Sequence, residues 1–243
     1  KIKKFSDKIE VITPIEFVEQ TKTKLLDTSG IEQLLEALQY DDMNTLDDIK
    51  VKVNEVMHKE IENKSFVVRA KRSGKHEFKS TQIEQVTGGF MLSRAENSTV
   101  DLRTPEVTIR LELINNQLNI ITAKYKGLGG FPIGTQGDIL SLMSGGFDST
   151  VASYLTMKRG LKTHFIFFNL GGLAHEIGVK QVAYYLWNKF GSSHRVKFTS
   201  VQFDDVLTEI FRSTGQSYMG VTLKRLMLKA SSKIADEMEI DAL

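Results

Sequence analysis

The sequence predicts an α/β fold: a Rossmann-like parallel sheet over residues 127–243, preceded by an α+β module over residues 41–126. Three observations carry this. From Asp138 onward, apolar runs of strand length alternate with stretches of helical spacing, which is the pattern of a parallel sheet wound right-handed. The first of those runs, Ile139 to Met143, turns sharply through Ser144-Gly145-Gly146-Phe147-Asp148-Ser149 into a helix that runs toward Arg159. Upstream, Val107, Ile109, Leu111 and Leu113 alternate cleanly and are followed by an Asn115-Asn116 turn, which predicts a hairpin with Gln117 to Tyr125.

The elements follow in order. Lys8 to Ile12 reads as a strand and Pro14 to Leu26 as a helix, with proline near its first turn. Gly30 to Leu38 has no decisive period. Asn44 or Thr45 caps a helix running to about Glu62, whose Leu46, Ile49, Val53 and Met57 share a face. Ser65 to Arg72 is a strand that passes from Phe66-Val67-Val68 into basic residues. Ser80 or Thr81 caps a second helix, broken or bent near Gly88-Gly89. Gly127 to Gly134 (G-L-G-G-F-P-I-G) is a linker rather than a dinucleotide fingerprint, because Pro132 stands at the third glycine position and no helix opens there. Beyond it, Lys162 to Asn169 holds Phe165-Ile166-Phe167-Phe168, the run of a strand covered on both faces. A helix from Ile177 to Phe190, a strand from Arg195 to Phe203, a helix from Asp204 to Arg212 and a long helix from Val221 to Glu237 follow. Ile240 to Leu243 begins a fourth strand.

Composition narrows the chemistry. The chain has 243 residues, a formal net charge of +2 and no cysteine, so it offers no disulfide, thiolate metal ligand or cysteine nucleophile. No apolar run approaches the roughly 20 residues of a membrane span, no signal peptide is visible, and cytoplasm is the default expectation. Lys64, Arg69, Lys71, Arg72, Lys75 and Lys79 stand against the single acid Glu77, either a solvated face or a nucleic-acid footprint.

The Ser144–Ser149 stretch is the candidate site. A strand, a glycine turn and a helix N-terminus converge backbone N–H groups on an anion, and the helix dipole adds partial positive charge. It is not a Walker A loop, since no lysine follows the glycines, and no G-x-S-x-G surrounds Ser144. Ser144, Gly145, Gly146 and Ser149 suit a phosphate cradle. Asp148 offers a hard oxygen for magnesium, or a cap for the helix. His175-Glu176 resembles the opening of a zinc-protease motif, but position 179 is valine, which excludes that reading. His164, inside a strand, reads as structural.

The stretch matches the S-G-G-x-D-S signature of the PP-loop ATP pyrophosphatases. Phe167-Phe168-Asn169-Leu170-Gly171-Gly172, His175-Glu176-Ile177-Gly178, Gly191-Ser192-Ser193-His194-Arg195 and Leu223-Lys224-Arg225 follow in order. With the basic module and the G-G-F-P-I-G-T segment before the loop, the whole chain closely resembles the bacterial tRNA 4-thiouridine synthetase (tRNA uridine sulfurtransferase) family. That resemblance implies the remnant of a ferredoxin-like domain over residues 1–40, a THUMP RNA-binding domain over 41–126 and a PP-loop domain over 127–243, in a chain that lacks both the extreme amino terminus and the carboxy-terminal part of the family's protein. It implies that ATP and magnesium are used to adenylate uridine 8 of tRNA, after which a persulfide sulfur displaces AMP. It implies ATP contacts at Leu142, Met143, Phe167, Phe168 and Lys224 beside the cradle, and tRNA phosphate contacts at Arg69, Lys71, Arg72 and Lys75. His76 and Phe78 are placed either to stack on unpaired bases or, for Phe78, to join the core. The partners implied are tRNA, a persulfide-donating cysteine desulfurase and a thiamine sulfur-carrier protein, with a homodimer as an open arrangement and no membrane.

The family's sulfur transfer uses cysteines, which this chain lacks, so its own residues serve only the adenylation step. Two further readings stay open: another PP-loop adenylating enzyme with a different acceptor, and a THUMP-type tRNA-binding module without catalysis.

Overall fold

The computed structural model describes residues 1–5 and 8–243. These form two compact units, one of residues 35–125 and one of residues 1–34 with 126–243. At the amino terminus, β1 (Ile2–Lys4) pairs antiparallel with β2 (Ile9–Val11), Ile2 standing opposite Val11. Only the second of these strands has a sequence signal. The helix expected from Pro14 begins as a 3₁₀ turn, Ile15–Phe17, and becomes α1 at Val18–Leu26. The stretch after Gly30 resolves into a strand, β3 (Gln33–Tyr40).

In the 35–125 unit, α2 (Leu46–Ile61) starts at Thr45 with a reciprocal cap. Asp48 N–H donates to Thr45 Oγ1 at 3.1 Å, and Thr45 N–H donates to Asp48 Oδ2 at 3.0 Å. The Thr45 hydroxyl, then its backbone N–H, hold the Asp48 carboxyl below its ordinary range. β4 (Ser65–Ser73), α3 (Ser80–Leu92), β5 (Thr99–Val100), β6 (Val107–Ile114) and β7 (Gln117–Lys126) complete the unit. The sheet order is β3-β7-β6-β4-β5. β4 runs parallel to β6, and β6 turns into β7 as the expected hairpin, with Asn115 at φ 54° closing it. Phe66 and Val68, Ile109, Leu111 and Leu113, and Leu118 and Ile120 meet Ile49, Val53, Ile61, Ile83 and Met91 of the helices in one core. Each such side chain, fully buried, contributes about 1.5–3 kcal/mol.

Two expectations are corrected here. The α3 helix runs unbroken through Gly88-Gly89, with Ile83, Thr87 and Met91 buried along it; a Cβ at Gly88 would make only ordinary contact with Val68, and one at Gly89 would meet nothing within 4 Å. Its cap is Lys79 rather than Ser80 or Thr81: Lys79 N–H donates to Gln82 Oε1 at 2.8 Å.

In the other unit, β8 (Asp138–Leu142), α4 (Phe147–Lys158), β9 (Lys162–Asn169), α5 (Leu173–Leu186), β10 (Phe198–Gln202), α6 (Asp204–Ser213) and α7 (Met219–Glu237) alternate as expected. The strands lie in the order β10-β9-β8, all parallel. Met143, Phe165 and Phe167 pack with Met157, Val179, Ala183 and Leu186 on one face. Leu140, Ile166 and Phe168 pack with Phe203, Ala235 and Ile240 on the other. Coverage on both faces explains the unbroken apolar run. A π turn, Trp187–Gly191, extends α5 to the length read from the sequence. The strand expected from Arg195 is shorter and begins at Phe198. Ile240 to Leu243 is not a strand: Ala242 accepts one bond from Leu140 N–H at 3.1 Å, and a single rung makes no ladder.

The glycine-rich segment before β8 is held, not loose. Gly127 and Gly129 donate to the carbonyls of Glu32 and Ile31, each at 2.9 Å, and Gly134 donates to Gly160 at 2.8 Å. At Gly130, φ is +76° and a Cβ would fall 1.8 Å from the Lys158 carbonyl oxygen, so only glycine admits this approach. No helix among the described residues is long and apolar enough to cross a membrane.

Candidate functional site

The loop at the carboxyl end of β8 is organised by its two serines. Met143 N–H makes the last sheet bond, to the Ile166 carbonyl at 2.8 Å, and the chain then leaves the sheet. Ser144 N–H donates to Ser149 Oγ at 3.2 Å, and the Ser149 hydroxyl donates to the Gly146 carbonyl at 3.1 Å. Gly145 adopts φ +81°, and a Cβ there would sit 3.0 Å from Val179 Cγ2. The first α4 amide with a turn partner is Thr150, which donates to Gly146 at 3.2 Å. Among the described residues, the N–H groups of Gly145, Phe147, Asp148 and Ser149 therefore have no acceptor. Converging donors at the positive end of a helix dipole form an anion cradle.

Asp148 is exposed in the first turn of α4 and its carboxylate has no hydrogen-bond partner among the described residues. Gly146 occupies the cap position, so the capping role open to Asp148 is not used. A bare carboxylate beside an anion cradle is repulsive unless a cation bridges the two, and a hard oxygen suits a divalent one. No group of three or more metal-ligating side chains occurs among the described residues, so such a cation would draw its other ligands from the bound anion and water.

A second turn supports the first. Asn169, at the end of β9, accepts through Oδ1 from Gly171 and Gly172 N–H at 3.2 and 2.9 Å. Its amide donates to Glu176 Oε2 at 3.0 Å, while Lys180 Nζ lies 2.6 Å from Glu176 Oε1. The Lys180 bond, with that of Asn169, holds the buried Glu176 carboxyl below its ordinary range. His175, one residue earlier, places Nε2 3.2 Å from the Ser144 carbonyl and its ring edge-on to Phe167. Sequence reasoning gave these residues no role. The available signal was a polar residue ending an otherwise apolar strand.

The remaining sequence-derived positions are dispersed by depth. Met143 is buried and Leu142 half-buried at the strand end. Phe167 is 1% exposed and Phe168 7%, on opposite faces of the sheet, so neither side chain is open to a ligand. Lys224 is exposed on α7, directly after Leu223, which packs under the sheet. His164 belongs to the opposite end of β8: its Nδ1 accepts from Lys197 N–H at 3.0 Å and its Nε2 donates to Asp138 Oδ2 at 3.2 Å. Burial lowers its pKa against the opposing pull of Asp138. Its role is structural, as expected.

Comparison with known proteins gives this geometry a family. The thiamine biosynthesis protein (ThiI) family matches residues 134–243, and the THUMP domain family matches residues 43–123. A tRNA sulfurtransferase of Vibrio vulnificus (strain YJ016) is 51% identical over 228 residues, covering 94% of this chain and 47% of that protein. One from Colwellia psychrerythraea is 53% identical over 214 residues, covering 88% and 44%. The chain belongs to the ThiI family. It spans about half the length of the curated relatives it matches. A crystal structure of a 4-thiouridine synthetase–RNA complex with bound ATP has the same fold, with a TM-score of 0.81 at 22% identity over 99% of this chain and 63% of that one. A protein of Pyrococcus horikoshii Ot3 aligns with a TM-score of 0.62 at 21% identity, over 86% and 80%.

Within the THUMP domain of this ThiI chain, Arg69, Lys71, Arg72 and Lys75 are all exposed. Arg69 and Lys71 alternate with the core residue Val68 and so face away from α2 and α3. Register sets Arg69 beside Arg110 of β6, a basic residue that the sequence reading left among the hairpin alternation. Arg69 donates to the Leu102 carbonyl at 3.0 Å. Arg72 donates to Gly74 at 3.3 Å and to His76 Nδ1 at 3.1 Å. His76 in turn donates from Nε2 to the Asn115 carbonyl. Phe78 lies in the core, which removes it as a base-stacking candidate.

Proposed function

We propose that the chain is the tRNA-binding and adenylating part of a tRNA uridine sulfurtransferase, with its domains arranged as a ferredoxin-like remnant (1–40), a THUMP domain (41–126) and a PP-loop domain (127–243). The observation that carries this reading is the set of unpaired amides at Gly145, Phe147, Asp148 and Ser149, with the free Asp148 carboxylate on the same turn. The name of the ATP- and RNA-bound structural relative and the sulfurtransferase relatives support the substrates.

In the proposed reaction, the C4 oxygen of uridine 8 attacks the α-phosphorus of ATP and pyrophosphate leaves. The loop amides, that of Ser149 among them, and the hydroxyl of Ser144 hold the β- and γ-phosphates so that charge building on the leaving group meets fixed donors. Asp148 would hold a magnesium ion, which would supply charge neutralisation to the phosphates. Main-chain groups of Leu142, Met143, Phe167 and Phe168 line the adenosine side, and Lys224 offers a point charge for phosphate. The outer sulfur of a persulfide then attacks C4 and AMP departs with the original oxygen; a second thiol, also outside this chain, attacks the inner sulfur of the resulting mixed disulfide, so that the S–S bond breaks, the sulfur stays on C4 and a protein disulfide forms. With no cysteine in the chain, that sulfur arrives on thiols other than its own, supplied by a cysteine desulfurase. The same sulfur supply extends to a thiamine sulfur-carrier protein. Cytoplasmic location and a homodimeric assembly complete the proposal.

The experiment is tRNA-dependent release of AMP from α-labelled ATP. Release stimulated by tRNA supports the reading; tight tRNA binding with no nucleotide affinity overturns it in favour of a pure RNA-binding module.

A further inference from the structure

The helix α5 links two places. Its first turn reaches the loop through His175, and its last turn borders a cavity of about 440 Å³ against the edge strand β10. Tyr184, Trp187 and Phe198 form the aromatic walls, and Phe165 closes the floor with 1% of its surface exposed. Tyr184 and Trp187 stand with ring centroids 5.7 Å apart, and the indole is fixed because Trp187 Nε1 donates to the His194 carbonyl at 2.8 Å. Two cations border the cavity and no carboxylate lines it. Lys180 lies 5.8 Å above the Phe198 ring and is shared with Glu176. Arg195 is exposed, with no hydrogen-bond or ion-pair partner among the described residues.

Aromatic walls that hold a planar group, with a free guanidinium at the rim for an attached anion, match a base and its phosphate. The cavity is not the nucleotide loop itself. From His175 to Tyr184 the helix advances nine residues, roughly 13 Å at about 1.5 Å per residue. That separation is a few nucleotides of an RNA strand. We propose that this cavity takes an unpaired base of the RNA substrate, stacked among Tyr184, Trp187 and Phe198 with its phosphate on Arg195. The inference rests on the tRNA reading above and adds a second RNA contact outside the THUMP domain.

Trp187 is the chain's single tryptophan, so its fluorescence reports on this cavity alone. Labelled tRNA is titrated into the chain while anisotropy follows binding and Trp187 emission follows occupancy. Expected are saturable quenching in step with anisotropy, and an affinity loss of about tenfold in Tyr184→Ala and Arg195→Glu, the order of one base stack. Both altered side chains are exposed, and circular dichroism checks that each variant folds. Binding by anisotropy with unchanged Trp187 emission, or with unaltered affinity in both variants, overturns the cavity assignment and leaves the tRNA reading standing. The same quenching by ATP or AMP alone overturns it in favour of a free nucleotide. No binding by anisotropy overturns the tRNA reading, and the cavity assignment with it.

Discussion

His175 Nε2 lies 3.2 Å from the carbonyl oxygen of Ser144, and because a carbonyl only accepts, that nitrogen carries a proton. The bond ties the first turn of α5 to the first residue of the anion cradle. With the Ser144 carbonyl so engaged, the peptide plane is fixed and the next amide, Gly145 N–H, stays directed outward. Replacing His175 by alanine should weaken ATP binding about two- to tenfold, the value of one net hydrogen bond. His175→Gln, which restores a donor, should recover part of it, and tRNA affinity should not change. Equilibrium dialysis with ATP decides the matter; equal affinity in wild type and both variants would remove the positioning role.

Asp148→Asn keeps the shape of the side chain but removes the charge that would hold a cation. tRNA-dependent AMP release should fall by at least about a hundredfold, the range for loss of an electrostatic contact to a transferring phosphoryl group. Binding of tRNA should be unchanged, since Asp148 is neither one of the basic THUMP residues nor part of the lining of the Trp187 cavity. Excess magnesium should not rescue the variant. AMP release near the wild-type rate would end the proposed role.

On the THUMP domain, Lys71 and Lys75 make no hydrogen bond or ion pair among the described residues, whereas Arg69 and Arg72 each give a donor to a backbone carbonyl. The two lysines therefore isolate the phosphate contacts from the fold. Lys71→Glu with Lys75→Glu should weaken tRNA binding. The slope of log affinity against log salt should become shallower by roughly 1.5 to 2, one counterion for each lost phosphate contact. An unchanged slope would show that phosphates lie elsewhere.

Legibility from sequence tracked how local the controlling interaction is. The period of two in Val107–Leu113 and the helical spacing of Ile49, Val53 and Met57 are set by burial on one face, so element type followed directly. The strand–turn–helix geometry of the candidate loop was legible because strand, glycines and helix start are contiguous in the chain. What escaped depends on distant partners. The strand character of Gln33–Tyr40 comes from its place beside β7, not from its own pattern. The continuity of α3 through two glycines goes with the burial of Ile83, Thr87 and Met91 against the rest of the unit. Likewise, the supports of the loop, Asn169, His175 and Glu176, converge only once β9 and α5 are folded beside β8. The cavity at Trp187 joins residues from β9, α5 and the segment leading into β10.

The opposite end of β8 gives the last prediction. Burial depresses the pKa of His164, so the folded chain holds this ring neutral where the unfolded chain begins to take up a proton. As pH falls through about 6.5, the unfolded state binds more protons and stability declines. Burial tends to raise the Asp138 carboxyl, but bonds from Lys162 at 2.7 Å and from His164 at 3.2 Å overcome it and hold its pKa low. Its contribution is present above the ordinary carboxylate value of about 3.9 and is lost as pH falls through the lower folded value. The two groups thus act in the same direction in separate windows. Urea denaturation at pH 8 and pH 5 should show a stability loss on acidification in wild type. His164→Gln cannot titrate and should be less stable at pH 8, with a smaller loss between the two pH values. A variant whose loss on acidification equalled that of wild type would show that the buried imidazole is not the source.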